Sequence, residues 1–155
     1  MLLTGMETLP LRMEAHVRNA QAVAQWLAGD RRVDWVRYAG LAEDPNHALA
    51  ERYLPNGAGA VFSFGLHGGR ASGEAFIEAL ELCSHLANVG DTRTLVIHPA
   101  STTHRQLGPE ALEAAGVLPD LVRISVGIED LEDLLYDLDR GLSAAAAVVA
   151  DGASA

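Results

Sequence analysis

Arg123 lies inside an apolar run, Leu121-Val122-Arg123-Ile124-Ser125. A guanidinium is rarely left unpaired in such a setting, because stripping its water is costly. Two kinds of partner would satisfy it. One is a nearby acid, Asp120, Glu129 or Asp130, in a structural ion pair. The other is a ligand carboxylate, which the planar fork of arginine grips with two parallel hydrogen bonds. The residues alone leave both open. Asn88, in Leu86-Ala87-Asn88-Val89-Gly90-Asp91, is an amide at the end of a short strand before a turn. Its plain use is to satisfy neighbouring backbone groups.

The segment His98-Pro99-Ala100-Ser101-Thr102-Thr103-His104 is rich in polar side chains. Its two histidines invite a metal reading, but no third ligand has a convincing spacing and Cys83-x-His85 is a weak supplement, so no metal is expected. Ser101, His104 and Asp91 could be drawn as a hydrolytic triad, yet no G-x-S-x-G elbow is present. The simple reading is a strand-to-helix connection in which Ser101 or Thr102 caps the helix and His104 packs against it. Gly65-Leu66-His67-Gly68-Gly69-Arg70 matches neither G-x-G-x-x-G nor a P-loop, and a loop opening a helix is expected.

Composition narrows the chemistry further. All eleven basic residues are arginine, from Arg12 to Arg140, and no lysine is present. Arginine replaces lysine well for surface solubility, as in chains from GC-rich genomes, but it cannot supply an amine for a Schiff base. The formal net charge is −10 and the pI is about 4.9. An acidic chain gives no electrostatic footprint for nucleic acid or for anionic membranes. No apolar run reaches the length of a membrane span, and the first residues lack the pattern of a secretory leader. Cys83 is the single cysteine, so no internal disulfide can form and a reducing cytoplasm is the natural setting.

Elements must hold these residues in place. Thr8 can cap a first helix with Pro10 in its opening turn, running through Leu27 to Gly29. Residues 31–38 alternate as a strand with Val33, Trp35 and Arg37 on one side. Residues 45–54 form a short helix. Residues 58–66 are a strand, rich in β-formers between glycines. Residues 71–82 are an amphipathic helix. Residues 85–89 and 94–98 are short strands around a Gly90-Asp91 turn. A helix over 102–115, a strand over 121–126 and a helix over 130–147 complete the chain. Leu131, Leu134, Leu135 and Leu138 share one face of that last helix. The order predicts an α/β (α+β) domain in which four or five short strands pack against helices.

Several of these segments together resemble the C-terminal part of the pyridoxal-phosphate (PLP) enzymes of cysteine and methionine metabolism, most closely the O-acetylhomoserine sulfhydrylases. Arg123-Ile124-Ser125-Val126-Gly127-Ile128-Glu129 matches the family's R-[IL]-S-x-G-[IL]-E motif in full. Asn88-Val89-Gly90-Asp91 takes the form associated with the sulfhydrylase branch, where much of the wider family begins the turn with serine. The segment 98–104 also matches, as do Gly5 to Glu14, His47 to Ala50, Tyr53 to Gly59 and Phe62 to Gly65. The resemblance implies a small C-terminal domain of a fold-type-I PLP transferase, a mainly antiparallel short-stranded sheet covered by helices. It would span residues 1–148, beginning in the interdomain helix region, with 149–155 a frayed tail.

The same resemblance implies the roles. Arg123 binds the α-carboxylate of the substrate and Asn88 lies beside it. His98, Ser101, Thr102, Thr103 and His104 line the approach without acting as acid or base. No catalytic residue is expected within the chain, and no covalently bound cofactor. The Schiff-base lysine, the aspartate facing the pyridine nitrogen, the stacked aromatic and the phosphate loop would lie in a large domain upstream of Met1, or on a complementary chain. The expectation is the substrate-recognising end of a cytoplasmic, homo-oligomeric transferase acting on O-acetyl-homoserine, inactive as an isolated chain. The alternative is a non-enzymatic module that binds an amino acid or pairs with a PLP-enzyme subunit. Leu2, Leu3, Leu9, Leu11 and Met13 favour the first, since a free-standing module would be expected to replace apolar residues left uncovered.

Overall fold

The apolar spacing after Pro10 becomes a 20-residue helix. A computed structural model describes residues 2–103, 106 and 108–152. A short α1 (Leu2–Glu7) leads into α2 (Leu9–Ala28), which buries Ala20, Val23, Ala24 and Leu27 on one stripe. Thr8 does not cap α2 through its side chain. Its φ/ψ of −103°/4° is not the extended backbone a capping hydroxyl needs, and its Oγ1 instead accepts from Arg12 Nε at 3.3 Å.

Five strands follow: β1 (Val33–Arg37), β2 (Val61–Leu66), β3 (Ser84–His85), β4 (Leu95–Ile97) and β5 (Leu121–Ser125). They make one sheet in the order β1-β2-β5-β4-β3. All neighbours are antiparallel except β3 and β4. The remaining helices are α3 (His47–Tyr53), α4 (Gly69–Ala79), α5 (Pro109–Ala114) and α6 (Leu131–Gly152). The expected mixed α/β architecture is thus the one observed.

Alternation along the strands sorts the two sheet faces. Phe62, Phe64 and Leu66 of β2, Val96 of β4, and Val122 and Ile124 of β5 join α2, α4 and α6 in one hydrophobic core. Leu134, Leu138, Leu142 and Ala145 of α6 supply its outer wall, three or four residues apart as a helix requires. The opposite face carries Trp35, Arg37, Ser63 and Arg123, all at least partly accessible.

Element ends shift by a few residues, and four differences from the expectation have a local cause. Val33 is not on the side of Trp35 and Arg37. The β1–β2 register shifts between Val33 and Trp35, so Val33 and Val36 both pack against the core. β3 stops at His85 because the chain turns at once: Leu86 N–H bonds Ser84 O at 3.0 Å, and Val89 N–H bonds Asn88 Oδ1 at 2.9 Å. Such local bonds compete with strand pairing. The helix expected from Thr102 begins only at Pro109, since the hydroxyls of Ser101 and Thr102 bind back to His98. The frayed tail expected from residue 149 is instead helical to Gly152, as the alanine-rich run favours.

A candidate carboxylate-binding site

β5 holds Arg123 at the centre of the sheet, opposite Ser63 of β2 and Ile97 of β4. Val122 and Ile124 enter the core, so Arg123 must face away from the helices. It is only partly covered there. Its Nη2 reaches across to Asn88 O at 3.5 Å. Asn88 is exposed, and its Oδ1 is taken by Val89 N–H, which leaves its NH2 as the donor end. Two residues 35 apart in sequence therefore meet at one place.

The ion-pair reading of Arg123 does not hold. Among the described residues no acid lies within salt-bridge distance of it, because each candidate is engaged elsewhere. Asp120 Oδ2 accepts from Trp35 Nε1 at 2.9 Å. Glu129 accepts from the N–H of Thr94 at 2.5 Å and from its hydroxyl at 2.8 Å. Asp130 accepts from Glu132 N–H at 2.9 Å, at the start of α6. In the adjoining turn, Arg93 is held by Asp91, and that contact keeps the Asp91 carboxyl below its usual range.

His98 lies elsewhere. It alternates with Ile97, so it turns to the helix-covered side, and it is fully buried. Its Nε2 is 2.8 Å from Pro119 O and its Nδ1 is 2.8 Å from Ser101 Oγ. A carbonyl only accepts, which assigns the proton to Nε2 and makes Nδ1 the acceptor of the Ser101 hydroxyl. Burial lowers the His98 pKa, favouring this neutral form. Thr102 Oγ1 donates to His98 O at 2.7 Å. Thr103 is exposed on the same connection, and His104 lies outside the described residues. The structure brings Arg123 and Asn88 together and sets His98 on the far side of the sheet from them.

Two supporting residues escaped the sequence reading. His16 and Asn19 lie on the buried stripe of α2. His16 Nδ1 bonds Val126 O at 2.7 Å, and Asn19 Nδ2 donates to Gly127 O and Glu129 O at 3.3 and 2.9 Å. The available signal was two polar residues at the helical spacing of an apolar face.

No group of three or more metal-ligating side chains occurs among the described residues. A broad groove of about 1130 Å³ runs along the free edge of β1, but neither Arg123 nor Asn88 lines it. A chain with no lysine does not fit PLP as its covalent holder. No described helix is long and apolar enough to cross a membrane.

Known proteins resemble the chain in sequence and in fold. The chain is 54% identical over 142 residues to O-acetyl-L-homoserine sulfhydrylase 1 of Thermus thermophilus, covering 92% of the chain and 34% of that relative. It thus spans about a third of the length of such curated relatives. A cystathionine gamma synthase from Xanthomonas oryzae pv. oryzae, solved with aminoacrylate and cysteine, superposes with a TM-score of 0.86 at 44% identity, over 94% of this chain and 38% of that one. A Campylobacter jejuni protein described as an O-acetylhomoserine (thiol)-lyase, carrying N'-pyridoxyl-lysine-5'-monophosphate, superposes at 0.84 with 37% identity, over 92% and 34% of the two chains. The model of one family matches residues 1–143, and by that match the chain belongs to the Cys/Met metabolism PLP-dependent enzymes.

Proposed function

We propose that this chain is the substrate-carboxylate-recognising part of a PLP-dependent O-acetylhomoserine sulfhydrylase of homocysteine biosynthesis, and that it is inactive alone. The observation that carries the reading is Arg123, a partly exposed guanidinium without an ion-pair partner among the described residues, beside Asn88 on the sheet face that the helices leave open. PLP, held by a lysine outside these residues, supplies the electron sink. Arg123 grips the α-carboxylate through its fork, and the Asn88 amide donates to the same group or to its neighbour. Fixing the substrate head in this way orients its reacting carbons and moves no proton. The exposed apolar residues of α1 and α2, with Leu2 at 86% and Leu11 at 71% exposure, support a larger assembly, a cofactor domain and further subunits, which this reading sets in the cytoplasm as a homo-oligomer.

The test joins this chain to the amino-terminal two-thirds of the Thermus thermophilus relative, in place of the matching third. The chimera should make homocysteine from O-acetyl-homoserine and sulfide, while the 155-residue chain should make none. Arg123→Lys keeps the charge and removes the fork, so KM for the acyl-homoserine should rise on the order of a hundredfold with KM for sulfide unchanged. A folded, cofactor-loaded chimera without activity would defeat the reading. So would an active one indifferent to Arg123→Lys.

A further inference from the structure

The contact between Arg123 and Asn88, at 3.5 Å and open to water, is too weak to set their spacing. A buried corner next to it is much stronger. Thr94 is fully buried, and each of its polar groups is used. Its N–H and its hydroxyl both donate to the Glu129 carboxylate, at 2.5 and 2.8 Å. Its Oγ1 accepts from Gly127 N–H at 2.8 Å, and its carbonyl accepts from Ser84 N–H at 2.9 Å. Ile128 N–H adds a bond to Thr92 O at 2.9 Å. Charge-assisted bonds of this length are about twice as strong as neutral ones.

The corner reinforces, beyond the ends of the paired strands β4 and β5, the joint between two stretches of chain. Thr94 immediately precedes β4 and is bonded to β3, whose continuation carries Asn88. Gly127 and Glu129 continue β5, which carries Arg123. No side chain could replace hydrogen at Gly127, since a Cβ there would collide with the Glu129 carboxylate, Thr92 O and Thr94 N. From the other side, Asn19 of α2 donates to Gly127 O and Glu129 O.

We propose that Glu129 and Thr94 are positioning residues, which through their paired hydrogen bonds set the spacing of Arg123 and Asn88 to fit one amino-acid head group. This rests on the carboxylate-recognition reading above. Neither residue touches the substrate. Their effect passes through the relative placement of two elements, where a shift of about 1 Å can change rates a hundredfold.

Three variants in the chimera test it. Thr94→Val removes the hydroxyl at constant shape, Thr94→Ser retains it, and Glu129→Gln replaces one acceptor oxygen by a donor. Thr94→Val and Glu129→Gln should raise KM for the acyl-homoserine on the order of tenfold, leaving KM for sulfide unchanged. Thr94→Ser should restore the wild-type KM. Amide hydrogen exchange should quicken at Thr94 and Gly127 in Thr94→Val and Glu129→Gln only. A purely structural role lowers the active fraction, and so Vmax, with both KM values unmoved; that result overturns the proposal. If Thr94→Val does not fold, Glu129→Gln decides. If Arg123→Lys moves KM and these variants do not, positioning fails alone. If Arg123→Lys moves nothing, the recognition reading fails and positioning fails with it.

Discussion

Asp137, buried on α6, accepts the backbone N–H groups of Glu81, Leu82 and Cys83 at 2.8, 3.1 and 2.9 Å. It thereby satisfies the donors of the chain as it passes from α4 to β3. Burial acts to raise the pKa of this carboxyl, but the three N–H bonds outweigh it and hold the group below its ordinary 3.8. The unfolded chain therefore takes up the proton first as pH falls. The stability that Asp137 contributes is present above that ordinary value and is lost as pH drops through the folded one. Asp137→Asn should lower stability near neutrality by about 2 kcal/mol in urea unfolding. The gap to wild type should shrink on going down to about pH 3. A gap of equal size at both pH values would show that the charge plays no part.

Between elements, the approach of α4 to the connection after β4 depends on Gly73. A Cβ at this position would collide with the His98 ring. That ring bridges Ser101 and Pro119, so its displacement would loosen the whole connection. In an open helix, glycine to alanine stabilises by roughly 0.5–1 kcal/mol. Here the sign should reverse, and Gly73→Ala should destabilise by about 2 kcal/mol in a thermal or urea melt. A more stable variant would mean that the helix can move away without harm. The elements themselves were largely readable beforehand, because strand alternation and helical stripes follow from which residues must leave water. Their ends were less readable. Thr102, Asn88 and Asp34 each lie where a local bond or a bulge overrode the periodic pattern.

For the molecule as a whole, the uncovered apolar surface is the governing fact. Leu2, Leu3, Met6 and Leu11 are 86%, 79%, 60% and 71% exposed along α1 and the start of α2. Contiguous apolar surface of this kind drives association when nothing covers it. The 16.4 kDa chain should sediment above its monomer mass at micromolar concentration, and Leu3→Glu with Leu11→Glu should shift it toward monomer. A wild-type chain that sediments as a monomer would contradict the idea that this surface is built to be covered.

The sequence by itself determined the mixed α/β class and the absence of a lysine amine for a Schiff base, which follow from local facts: which side chains are present, and how their polarity repeats along the chain. Its motifs carried the family resemblance, and that resemblance implied that Arg123 and Asn88 lie side by side. The residues alone left Arg123 between a structural ion pair and a ligand clamp, because Asp120, Glu129 and Asp130 were all close in number. Only the tertiary structure removed the ion pair, by giving each acid to another donor. It also separated His98 from Arg123 across the sheet, although Ile97, its neighbour in sequence, stands opposite Arg123. Hydrogen bonding is satisfied in three dimensions, among groups far apart in the chain, so neither spacing nor composition could have assigned those partners.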